Sequence, residues 1–284
     1  MRVTLDIYSG RENPSWDLSA SDARQLVNRL AGKTLAAVDE VESILGFRGY
    51  IISVADDADE TASAAGLPAD FRIAGVLPQQ FLSAEAAEPS TLSAAEAEDA
   101  AQWLLTTAQQ AVDDELLTIV QGAIRQEPQP QLEAAVAAAC VIQNTPYNPG
   151  FWNTPSVQPY NNCYNYAMNY RSNTFAQPGR ISGHPNNIMQ CANVATAANW
   201  DGCRATCSGP NKNVALVIWP GRDYHWYRLQ SNGFWGHKPG GTPARNTDNR
   251  GRVIQGVLNP ANCDRGNYTV FCGYRFSPTG MRVR

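Results

Sequence analysis

The chain has 284 residues, 43% of them hydrophobic, with seven Trp and eleven Tyr and a formal net charge of −4. That length exceeds one ordinary domain and implies two, with enough apolar material for a sizeable core. A mildly acidic chain with no block of basic residues excludes an electrostatic nucleic-acid binder. Apolar runs as short as "AAVAAACVI" exclude a membrane-spanning helix.

From the N-terminus, "RVTLDIY" alternates Val3, Leu5 and Ile7 with polar residues, the period of a half-buried strand. "SGRENP" is a turn. "SASDARQLVNRLAG" places Ala23, Leu26, Val27 and Leu30 on one helical face, with Ser19 or Ser21 as N-cap and Gly32 past the C-terminus. "GYIISVA" and "FRIAGVL" are further strands. A long amphipathic helix is predicted from Ser93 to Arg125, opened by the capping-box pair Ser93 and Glu96. "RQEPQPQ" (Arg125–Gln131) is the linker, with the boundary near residues 126–139. The N-terminal part, 1–127, is expected to be an α/β module of unknown role.

The second half, 140–284, changes composition towards Asn, Tyr, Trp, Gly and Cys. "PYNNCYNYAMNYR" is a loop entering a helix at Cys163. "NVALVIWP", "YHWYRLQ" and "GFWGHK" are strands, the last two joined by the tight turn "SNG". The seven cysteines all lie here, and an odd count leaves at least one thiol free. The N-terminus lacks a basic region followed by an apolar one, so a cytoplasmic location with mostly reduced thiols is expected, export by a route without a cleaved signal being the alternative.

Two of the three histidines, His225 and His237, share one hairpin. If its turn centres near Ser231, they face each other as a cross-strand pair. A thiol nucleophile needs a lowered pKa, an adjacent base and a group that holds the base's tautomer. Cys163 at a helix start meets the first condition, because the helix dipole and free N–H groups favour thiolate. His225 fits the base. His237, or alternatively Asp248 or Asn246, fits the orienter. The backbone N–H of Cys163 with Asn161 or Asn162 would hold an oxyanion, and Tyr160, Trp226 and Trp235 would wall the substrate.

This order of residues resembles the NlpC/CHAP-type cysteine peptidases of the papain-like superfamily. "NNCYNYA" corresponds to the helix start, "ALVIWP" to the apolar strand before the base, and "DYHWYRLQSNGFWGHK" to the strand pair. The resemblance spans roughly residues 158–240. It departs in Asn162, where the family carries Asp, and in Tyr164 and Asn165, where it carries small residues. "NTFAQPGRISGHP" and "HKPGGTP" also resemble bacterial proteins without an assigned activity.

What the resemblance implies is an α+β chain whose second domain is built on a central antiparallel sheet. Its activity would be a cysteine hydrolase cleaving an amide bond in a peptide or protein through a Cys–His–His triad. The alternative is a non-catalytic binding or interaction module on the same scaffold. No phosphate-cradling motif occurs and no cofactor is implied. A metal site drawing on Cys191, Cys203, Cys207 and His184 lacks the second matched pair that zinc spacing requires, so no metal is expected. Nothing in the sequence fixes an oligomeric state.

Overall fold

A computed structural model describes residues 1–38, 41, 43–54, 62, 65–73, 92–108, 111–124, 145–205 and 211–284. The linker at Arg125–Gln131, Cys140 and Cys207 lie outside the described residues. Two compact units share the chain. One comprises Met1–Ile7, Asn13–Glu42 and Phe47–Pro128, the other Tyr8–Glu12, Ser43–Gly46 and Gln129–Arg284. Both combine helices with antiparallel sheets, so the chain is α+β.

In the first unit β1 (Arg2–Leu5), β2 (Ser15–Asp17), β3 (Tyr50–Ser53) and β4 (Asp70–Ile73) form a sheet in the order β2-β1-β3-β4. Every pairing is antiparallel, which corrects the expected α/β alternation to α+β. The predicted strand periodicity holds: Val3, Leu5, Ile52, Phe71 and Ile73 are buried. Helix α1 (Ala20–Leu30) starts where Ser19 accepts from the Asp22 N–H, and it buries Ala23, Leu26, Val27 and Leu30. A cap of this kind stabilises a helix by about 1 kcal/mol.

The long predicted helix is two. α2 (Ala94–Thr107) opens with the Ser93–Glu96 capping box, and α3 (Asp114–Ile124) follows a break in which the Asp113 carboxylate accepts from the Leu116 N–H. The apolar period runs through the break, which is why periodicity alone joins the two. Beside the sheet Asp6 is buried, receiving Arg48 at 2.6 Å and Arg72 at 2.9 Å. Burial raises its pKa, but the two guanidiniums outweigh that and bring it down to about 2.

In the second unit β5 (Asn211–Trp219), β6 (Asp223–Leu229), β7 (Trp235–His237) and β8 (Val270–Pro278) form a sheet in the order β7-β6-β5-β8, antiparallel throughout. Among the described residues this unit also has helices α4 (Pro149–Trp152), α5 (Cys163–Ala167) and α6 (Cys191–Trp200). Strand alternation sorts the sheet's two faces. Val214, Leu216, Ile218, Tyr224 and Trp226 pack with Cys163, Tyr164, Ala167, Val194 and Ala198 of the helices. Alternation turns Val217, Trp219, Asp223, His225 and Tyr227 to the other face. There Trp219 meets Tyr8 and Tyr268, and His225 meets Tyr227 and Tyr268.

Candidate functional site

The hairpin register sets the histidines. Tyr227 pairs with His237 and Leu229 with Trp235, so the turn centres on Asn232, one residue later than expected. His237 therefore sits diagonally from His225 rather than opposite it. A one-residue shift of the turn centre moves the partner by two positions, which preserves the face. The rings still meet, with His225 Nε2 2.9 Å from His237 Nδ1.

The tautomers follow from the bonds. His237 Nε2 lies 2.8 Å from the Thr247 carbonyl, which can only accept, so this nitrogen carries a proton. Burial holds the pKa of His237 down at about 3, and the neutral ring then accepts at Nδ1 from His225 Nε2–H. The residue that meets His225 here is therefore His237, not Asp248 or Asn246, and the Thr247 carbonyl in turn holds His237. The Asp248 carboxylate is taken up by Arg252 and by the backbone N–H groups of Arg250, Arg252 and Asp264. Asn246 is half-buried, and its carbonyl accepts from the Ile254 N–H.

At its other nitrogen His225 meets a residue that sequence reasoning missed. His225 Nδ1 is 3.0 Å from Ser9 Oγ, within the segment "SGRENP" assigned to a turn. The Ser9 hydroxyl also lies 3.0 Å from the Tyr224 carbonyl and 3.2 Å from Asp223 Oδ2. Asp223 is bound by the backbone N–H groups of Ser9 at 2.6 Å, Gly10 at 3.0 Å and Arg11 at 2.9 Å, and by the Tyr268 hydroxyl at 2.5 Å. Burial pushes this carboxyl up, while those hydrogen bonds pull it back. Gly10 is required here for room, since a Cβ would lie 2.6 Å from the Tyr224 ring and 2.7 Å from its carbonyl.

Cys163 begins α5 as expected, with Asn162 as N-cap accepting from the Tyr164 and Asn165 N–H groups. Its Sγ lies 3.9 Å from the Tyr224 carbonyl and beside the Ser9 hydroxyl, which also touches the His225 ring. The thiol is wholly buried. Burial, with Asp223 nearby, pushes its pKa up, opposite to the lowering expected from a helix start. Five residues of helix give too few aligned peptides to offset that burial.

The other expected residues disperse. The Asn162 side-chain N–H₂ donates to the Gly10 and Ala176 carbonyls. The Asn161 side chain donates to Val157 and Asn173 and accepts from the Ser172 and Asn173 N–H groups. Tyr160 is exposed, Trp226 lies in the core against Tyr164, and Trp235 stacks on Tyr274. They line no common wall. Lys238, directly after His237, is buried with its ammonium donating to the Gln158, Asn161 and Gly240 carbonyls, which pins the approach to Cys163.

Cys191 is bonded to Cys272, whereas Cys163, Cys203 and Cys263 are free and buried, so among the described cysteines one pair is oxidised and three thiols are reduced. His184 stacks on Trp200 and Cys191 is taken up by the disulfide, while Cys207 lies outside the described residues. Among the described residues no helix is long and apolar enough to cross a membrane.

Fold and site together define an α+β protein whose second unit carries a fully enclosed carboxylate–hydroxyl–imidazole–imidazole chain with a thiol beside it. No protein-family model matches the chain, and no solved structure matches it. The chain belongs to the family of insoluble matrix shell protein 1 of Ruditapes philippinarum, being 46% identical to it over 139 residues. The match takes in 48% of this chain and 92% of that relative. The expected cytoplasmic location is overturned by this kinship, because a shell matrix is laid down outside cells. The Cys191–Cys272 bond fits the same oxidising setting.

Proposed function

We propose that this chain is a secreted, non-catalytic matrix or interaction module on a papain-like scaffold, its thiol and histidines serving as an internal fastening. The papain-like reading draws support from a helix that opens at a cysteine and packs on an antiparallel sheet carrying two bonded histidines. The role in a matrix draws on the shell-matrix relative. One observation carries the absence of turnover. Ser9, Cys163, Asp223 and His225 have 0% exposure and His237 has 1%, so a scissile carbonyl has no approach to the thiol.

The second reading is the thiol hydrolase, with Cys163 attacking an amide, His225 taking the thiol proton and His237 holding His225. The 2.9 Å bond between the rings favours it, because it orients the imidazole as a base needs. It requires His225 to exchange its Ser9 contact for the Cys163 thiol. Alkylation mapped by mass spectrometry between acid and neutral pH separates the two. Under the module reading Cys163 stays unmodified until the protein is unfolded. Fast modification of native Cys163 near pH ~6, slowed by His225→Ala, would replace that reading with the hydrolase.

A further inference from the structure

Outside the buried network, the second unit has an open cleft of 360 Å³ lined by His184, Pro185, Asn186, Asn193, Thr196 and Trp200. Small-ligand sites begin at about 300 Å³. Asn193, Thr196 and Trp200 follow one another at helical spacing, so they form a single ridge along α6, and the 184–186 loop makes the opposite wall. Trp200 is 59% exposed, which is unusual for the largest apolar side chain. Its ring is nevertheless fixed. His184 stacks on it at 4.1 Å and 21°, while more than half of the Trp200 surface stays exposed.

The supports beneath the cleft are rigid. Asp201, next to Trp200, accepts from the Gly179 N–H at 2.7 Å, the Ser182 hydroxyl at 2.7 Å and the Tyr164 hydroxyl at 2.9 Å. The His184 N–H closes the loop onto the Gly179 carbonyl, a crossing so tight that a Cβ at Gly179 would overlap it. The Cys191–Cys272 bond ties the start of α6 to β8. An exposed aromatic held still by a hydrogen-bonded loop and a disulfide is preorganised for a ligand, so little ordering remains to be lost on binding.

The lining's chemistry selects the ligand class. It has a flat aromatic face, the amides of Asn186 and Asn193, the Thr196 hydroxyl, and no carboxylate, lysine or arginine. Among the described residues the Asn193 and Thr196 side chains are not engaged in hydrogen bonds. An uncharged ligand with an apolar C–H face and a rim of hydroxyls or acetamides complements this set. We propose that the cleft between α6 and the 184–186 loop binds a neutral polysaccharide, one sugar ring stacking on Trp200 while Asn193 and Thr196 hold its polar rim. The inference does not depend on how the buried network is read.

The test uses the full chain. Soluble hexasaccharides of chitin and of cellulose are titrated by calorimetry, and the insoluble polymers are used in sedimentation assays. At least one saccharide binds at one site per chain. Trp200→Ala weakens it about tenfold or more, while Trp200→Phe, which keeps a stacking face, loses less. Since Trp200 is a surface residue, an unchanged melting temperature separates loss of binding from loss of fold. Failure of every saccharide to bind at millimolar concentration overturns the proposal, as does binding that Trp200→Ala leaves unchanged. Binding of a proline-rich peptide at Trp200 in their place would reassign the cleft to peptide recognition.

Discussion

Ser9→Ala probes the buried network at its centre. The hydroxyl lies 3.0 Å from His225 Nδ1, on the far side of the ring from the bond to His237. Losing it leaves different gaps at the neighbours. Asp223 keeps the three backbone N–H groups and Tyr268, and the Tyr224 carbonyl keeps the weak Cys163 thiol contact. His225 loses its hydrogen bond to Ser9 in a fully buried setting, which costs about 1–3 kcal/mol. For a unit of this size about 2 kcal/mol lowers the melting temperature by about 4–8 °C. Urea unfolding followed by tryptophan fluorescence, with the exposed Ser231→Ala as control, reads the difference. A loss below about 0.5 kcal/mol, no larger than that of an ordinary surface substitution, would refute the bond assignment and the fastening role built on it.

Gly10→Ala drives a methyl into the Tyr224 ring and carbonyl, and equilibrium unfolding should show about 1–3 kcal/mol of destabilisation with the slope unchanged. Asp6 has a folded pKa of about 2 against 3.8 unfolded, so its contribution is complete above pH ~4 and is lost as pH falls towards ~2. The amount is about 2 kcal/mol, and acid titration of stability should show Asp6→Asn destabilised throughout but with that segment of the pH slope missing. Replacing both Cys191 and Cys272 by Ala opens a loop of 81 residues and should lower stability by about 4 kcal/mol in denaturant melts, with no effect of reductant on the variant.

Much of the fold was legible because it rests on local rules. Ser19 and Ser93 announced their helices, alternation found β1, and the segments of β3, β5 and β6 stood out as strands. The helix break at Asp113 escaped because the hydrophobic stripe continues across it. Of the site, the Cys163 helix start and the meeting of His225 with His237 followed from spacing. Ser9 did not, since it lies 216 residues from His225 and pairing at that separation leaves no trace in either local pattern. Burial was also invisible: exposed and enclosed thiols are written with the same letter, and the sign of the Cys163 pKa shift depends on the difference. The His184–Trp200 stack has a similar reason, as it joins a loop to a helix end with no shared period.

The segment Tyr8–Glu12 belongs to the second unit although the chain on both sides of it belongs to the first. Ribosomal synthesis makes those five residues long before their partners Asp223 and Tyr224, so completion of the second unit waits for an early stretch of chain to be reclaimed. In terms of gene architecture, this unit is not a cassette. A single crossover in the linker would deliver it without the amides that hold Asp223 and without the hydroxyl that holds His225. Recombination can move it intact only with the beginning of the chain attached.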